Sequence, residues 1–163
     1  MSYPQPKRLP RAVRSAVVAA ERLCIDEKVE YATVVSAAGE HVATTRGGDK
    51  TVSLSGLVAQ LRDATVTHNH PNGTSFSLHD LFFALRHDVH ELRIVGRIRG
   101  DEVCYRLQRP QSGWPQVSAR ELMDTYARAL SAAQDQPAEL EAHFAMERVA
   151  ARLRLGYSKQ VRG

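Results

Sequence analysis

The chain of 163 residues is 43% hydrophobic and 25% charged, the balance of one compact soluble domain with a core of its own and short appendages. No apolar run approaches the ~20 residues that span a bilayer, and Met1–Pro10 has no signal-peptide shape; no membrane partner is expected, and the expected location is cytoplasmic. The net charge of +4 is gathered at the two ends, in Lys7, Arg8, Arg11 and Arg14 and in Arg152, Arg154, Lys159 and Arg162, a pattern that fits a solvated face better than a nucleic-acid footprint at so small an excess.

Residues 1–10 carry three prolines and read as an irregular lead-in. Val13, Val17, Ala20 and Cys24 recur at helical spacing, which predicts an amphipathic helix over Arg11–Ile25. Val29–Ser36 is β-branched and predicts a strand; Ala38-Gly39 turns the chain into a returning strand, Glu40–Thr45, which Gly47-Gly48-Asp49 ends. Leu54, Leu57, Val58 and Leu61 give a helical stripe over Ser53–Arg62. A short strand, Ala64–His70, a turn-rich loop, Pro71–Phe76, and a helix, Ser77–His87, follow. Glu91–Arg97 and Glu102–Leu107 read as a hairpin about Arg99-Gly100-Asp101.

The pattern then changes. Residues 109–117, with Pro110, Gly113, Trp114 and Pro115, read as a linker, in which Trp114 pins the chain. Two helices are expected beyond it, Ser118–Ala132, opened by a capping-box pair of Ser118 and Glu121, and Ala138–Leu155. The expected fold is therefore α/β: a mixed sheet flanked by helices over residues 11–108, and a C-terminal helical hairpin within 118–163. Cys24 and Cys104 lie outside any CxxC spacing and read as small buried hydrophobes.

The chemistry concentrates in Thr67-His68-Asn69-His70-Pro71 and Ser77-Leu78-His79-Asp80. On a strand, residues i and i+2 share a side, so His68 and His70 present two imidazoles to one ion. Asp80 falls in the first turn of the next helix, whence its carboxylate reaches back over the strand end. Two histidines and a carboxylate leave a fourth tetrahedral position open, the arrangement of a catalytic zinc site rather than a structural one. Hydrolysis at such a site needs a carboxylate to carry the proton. Glu30, directly before the first strand, is the candidate, with Asp26, Glu27 and Glu40 as nearby alternatives. Ser77 and Asp80 also form an N-cap and N3 pair. Asn69 and Asn72-Gly73 are read as turn formers.

Over about residues 11–108 these features resemble the JAMM (JAB or MPN) metallopeptidase superfamily, whose motif runs His-x-His-Pro, a spacer, then Ser-x-x-Asp; the Thr-His-Asn-His-Pro-Asn-Gly wording is most similar to the RadC-like bacterial branch. The resemblance implies a JAB/MPN-like fold with cytidine-deaminase-like layering. It implies one zinc ion on His68, His70 and Asp80, Glu30 as general acid/base, and Ser77 stabilising the oxyanion. It also implies a metalloprotease or isopeptidase, acting on peptides or on proteins joined to ubiquitin-like modifiers. The spacer Pro71–Phe76, six residues, is one shorter than the family's usual length. Two alternatives stand beside the hydrolase: a catalytically inactive JAMM-like binding module, motivated by that spacer, and a RadC-like nucleic-acid-associated protein, motivated by the basic ends.

Overall fold

The computed structural model describes residues 2–47 and 56–162. Helix α1 (Arg11–Cys24) leads into the hairpin β1 (Tyr31–Val35) and β2 (His41–Arg46). A single turn, α2 (Val58–Leu61), precedes β3 (Thr65–Asn69), α3 (Leu78–His87) and the second hairpin, β4 (Glu91–Ile98) and β5 (Asp101–Gln108). Helices α4 (Ala119–Ala132) and α5 (Ala138–Leu153) and a strand β6 (Gly156–Arg162) complete the chain. Gly48, Asp49 and the start of the helix expected over Ser53–Arg62, Leu54 included, lie outside the described residues.

The strands form one mixed sheet in the order β2-β1-β3-β4-β5-β6. Only β3 and β4 run parallel, and α3 is the crossover between them; every other neighbouring pair is antiparallel. The segment expected as helices alone, 118–163, thus also supplies an edge strand. β6 pairs with β5 from Gly156↔Gln108 to Arg162↔Glu102. The chain is accordingly α/β, with six strands and five helices among the described residues. No helix among those residues is long and apolar enough to cross a membrane.

Strand alternation divides the central strand β3 between two unlike layers. Val66 joins a large apolar core with Leu81 of α3, Tyr126 of α4, Met146 of α5 and Ile94 and Tyr157 of the sheet. Thr67 faces α1 instead, where its hydroxyl donates to Glu21 at 3.1 Å. On that side a smaller apolar group, Leu9, Val13, Val17 and Val35, sits beside a buried ionic network. Arg93 bridges Glu21 and Glu91, and Arg106 closes on Glu91. Cys24 and Cys104 are free and buried among Ile25 and Val95; burial raises each thiol to about 11, so both stay protonated at neutral pH.

Candidate metal centre

The site forms where β3 ends and α3 begins. His68 is the last residue of β3 but one, facing the α3 side. His70 extends the parallel ladder by one bond, its amide donating to Val95 at 2.9 Å, and so returns to the same side as His68. Pro71 then leaves the strand, and the chain turns back through Gly73, at φ +72°. Gly73 lies against the backbone of Arg97, and Gly96 lies against the carbonyl of His70; a side chain at either position would collide with that backbone. The loop ends at Ser77, the N-cap of α3. Its hydroxyl accepts from the Asp80 amide, and the Asp80 carboxylate accepts from the Ser77 amide, the reciprocal box that the Ser-x-x-Asp spacing predicts.

These elements bring His68, His70 and Asp80 together as a buried group whose ligand atoms all lie within 4.8 Å of one another. His68 Nε2 is 3.1 Å from His70 Nε2 and 3.3 Å from Asp80 Oδ1. His70 Nδ1 lies 2.7 Å from the Thr74 carbonyl. A carbonyl only accepts, so the His70 proton is on Nδ1 and Nε2 turns its lone pair toward the group. Burial, with His68 adjacent, lowers the His70 pKa, against the opposing pull of Asp80, Thr74 and Glu30. Burial alone would raise the Asp80 carboxyl; His68, His70 and the Ser77 amide outweigh it and hold the group well below the usual carboxylate range. The imidazole is thus neutral and the carboxylate charged, the forms that bind a metal ion. The nitrogen, nitrogen and oxygen donor set fits a divalent transition ion and leaves coordination positions to spare.

Glu30 reaches the same place from β1. The antiparallel register sets Ala32 opposite His68, and two steps further on the Glu30 carboxylate lies 3.9 Å from His70 Nε2, about one-third exposed. The competing acids lie elsewhere. Asp26 pairs with Arg97 at the surface, Glu27 borders a separate groove against α1, and Glu40 sits at the hairpin turn, its amide bonded to Ser36. The Ser77 hydroxyl is exposed and also donates to Asp80 Oδ2 at 3.0 Å, so both of its hydrogen bonds serve the helix cap and the carboxylate.

Several residues that support this arrangement escape sequence reasoning. Asn69 is not a turn former. It points to the opposite side of β3 from the histidines, its Oδ1 accepting from the Tyr31 amide at 2.7 Å and its Nδ2 donating to the Glu27 and Val29 carbonyls. It clamps the backbone on both sides of Glu30. Three tyrosine hydroxyls hold the loop 71–76 from behind: Tyr105 donates to Gly73 O, Tyr126 to Phe76 O, and Tyr157 meets Ser75 Oγ at 2.8 Å. Tyr157 in turn meets His143 Nδ1, and burial lowers that histidine to about 4, so the neutral ring accepts from the phenol. The sequence-level signal for Asn69 is the strand's own alternation, which sets it opposite its flanking histidines; for the tyrosines there is no local signal.

Asn69→Ala is expected to leave three backbone groups without partners and to cost about 1–3 kcal/mol. Amide hydrogen exchange reads it directly: the Tyr31 amide exchanges faster in the variant while amides within α5 do not. Unchanged protection at Tyr31 would remove the clamping role.

The chain matches no protein-family model, no curated protein and no solved structure.

Proposed function

We propose that the protein is a zinc-dependent hydrolase of the JAMM type, cleaving peptide or isopeptide bonds. One observation carries the reading: the buried group of His68, His70 and Asp80 converges with the rim carboxylate of Glu30, as the RadC-like motif implies. The sheet with helices on both faces is compatible with a JAB/MPN-like arrangement. Zinc, when held by these three residues, supplies Lewis-acid polarisation and lowers the pKa of water.

The chain's own residues do the rest. Thr74 orients His70 through Nδ1, and Ser77 orients Asp80 through Oδ2. Glu30, aligned by Asn69, takes the proton of the attacking water and delivers it to the leaving nitrogen. Its partial exposure lets it meet a substrate at the rim, while burial of the other three keeps bulk water from competing. In this geometry Ser77 serves Asp80 first, and it reaches a developing oxyanion only by giving up its bond to Oδ2.

The test is cleavage of mixed peptides and of isopeptide-linked conjugates by the zinc-loaded chain. Glu30→Gln is expected to lower kcat by roughly 10²–10⁴ with zinc content unchanged. A folded, zinc-replete protein that cleaves none of these substrates overturns the hydrolase and leaves the second reading, a JAMM-like binding module that does not turn over. The engagement of the Ser77 hydroxyl within the cap is the observation that favours that alternative.

A further inference from the structure

Cations from both ends of the sequence, Lys7 and Arg8 with Arg154, meet in one groove away from the metal centre. The groove has a volume of about 1040 Å³ and is lined by Lys7 and Arg8 of the lead-in, Arg109 at the end of β5, Arg154 after α5, and His90. No Asp or Glu among the described residues lines it. A net charge of only +4 over the whole chain does not require this concentration. Arg109 is a fixed point, held by Asp88 at 3.0 Å and by Asp63 at 2.6 Å. Lys7, Arg8 and Arg154 pair with no carboxylate among the described residues; Lys7 Nζ contacts only the Gln111 amide oxygen, at 3.4 Å. Arg154 occupies a left-handed helix C-cap at φ +55°, a conformation that glycine ordinarily fills, and this turn brings it to the groove.

The walls indicate which anion. Pro4, Pro10, Pro110 and Pro115 line the groove. Proline has no N–H, so these walls offer few donors for pairing with an extended acidic peptide, and their stiffness preforms the concavity. Among the described residues no Phe, Tyr or Trp lines the groove, so stacking is left to the His90 ring and the guanidinium planes, and contacts to phosphate dominate. A concave surface whose unpaired cations are Lys7, Arg8 and Arg154 suits the sugar-phosphate backbone of a single strand, which carries one charge per nucleotide whatever its sequence.

We infer that this groove binds the phosphodiester backbone of single-stranded nucleic acid without regard to sequence. His90 precedes the start of β4, which pairs with the start of β3, whereas His70 follows the end of β3; the five residues of β3 separate the two sites by roughly 17 Å. The groove is therefore independent of the metal centre, and the inference does not rest on the hydrolase reading.

The experiment is fluorescence anisotropy of the full chain with a labelled oligothymidylate of about 12 nucleotides, with chelator present throughout so that metal plays no part. Binding is expected to weaken from ~50 to ~200 mM salt with a log–log slope of about −2 to −3, the release expected for three or four phosphate contacts. The double variant Arg8→Glu/Arg154→Glu is expected to bind at least about tenfold more weakly and with a shallower slope. Arg128→Glu/Arg148→Glu, an equal charge change in a separate depression between α4 and α5, is expected to stay within about twofold. Should the first double variant melt early, Arg8→Gln/Arg154→Gln replaces it. No binding at ~50 mM salt overturns the inference, as does equal loss in both double variants. Duplex bound as tightly as the single strand, or polyglutamate competing as well as the oligonucleotide at equal charge, also overturns it.

Discussion

His68→Ala, His70→Ala and Asp80→Ala are each expected to abolish stoichiometric zinc binding, from about one ion per chain in the wild type to near none. The three ligand atoms converge within 4.8 Å, and each replacement leaves two of them; Glu30, 3.9 Å from His70 Nε2, stands beside that group and is not one of its members. Asp80→Ala carries an added penalty, because its carboxylate accepts from both the amide and the hydroxyl of Ser77. Loss of that half of the capping box costs about 1 kcal/mol of helix stability even without metal. Ser77→Ala separates the effects; it loses the cap hydrogen bond and keeps the zinc. Elemental analysis of the purified proteins gives the stoichiometry. Thermal melting with and without zinc gives the linkage, about 2.7 kcal/mol of stabilisation at a hundredfold excess over Kd. A wild-type chain that takes up no zinc and melts at the same temperature with or without it would end the metal-centre reading.

On the other face of the sheet, Arg93→Ala is expected to destabilise the protein by about 3–5 kcal/mol, a fall in Tm of roughly 6–20 °C. Arg93 is 4% exposed and donates from Nε to Glu21 at 2.6 Å and from Nη1 to Glu91 at 3.1 Å. Removing it strands two carboxylates that are 2% and 0% exposed. They do not suffer equally. Glu91 keeps Arg106 and Gln108, whereas Glu21 keeps only the Thr67 hydroxyl and Arg162 at 3.9 Å. The cost therefore falls mainly on Glu21. Glu21→Leu/Arg93→Met removes the stranded charge along with its partner, and it is expected to recover most of the loss, since apolar groups of similar volume replace a buried ion pair with little penalty. Calorimetric melting of both variants decides it. If Arg93→Ala melts within about 2 °C of the wild type, the network does not stabilise the fold.

Much of the fold was legible in the sequence because local periodicity reports local geometry. Val13, Val17 and Cys24 marked the buried face of α1, and the helix runs over Arg11–Cys24, within one residue of the expected end. Ser77 and Asp80 announced the start of α3 through the same side-chain reciprocity that the structure shows. The strand β6 was not legible. Gly-Tyr-Ser-Lys-Gln-Val-Arg carries two apolar side chains among polar ones, and its backbone is satisfied by partners far along the chain: β5, 48 residues or more away, and the Pro4 carbonyl, which accepts from the Tyr157 amide.

The same division runs through the sites. That His68 and His70 share one side of a strand follows from a two-residue repeat, and that Asp80 stands in the first turn of the next helix follows from its capping pair with Ser77. Long-range packing alone makes Asn69 clamp the segment bearing Glu30, sets three tyrosines against the loop 71–76, and buries Glu21, Glu91 and Arg93 together. It alone joined Arg8 to Arg154 across one groove. Each of these depends on partners far apart along the chain. Sequence spacing carries no information about such pairs until the sheet register and the packing of helices upon it set which residues meet.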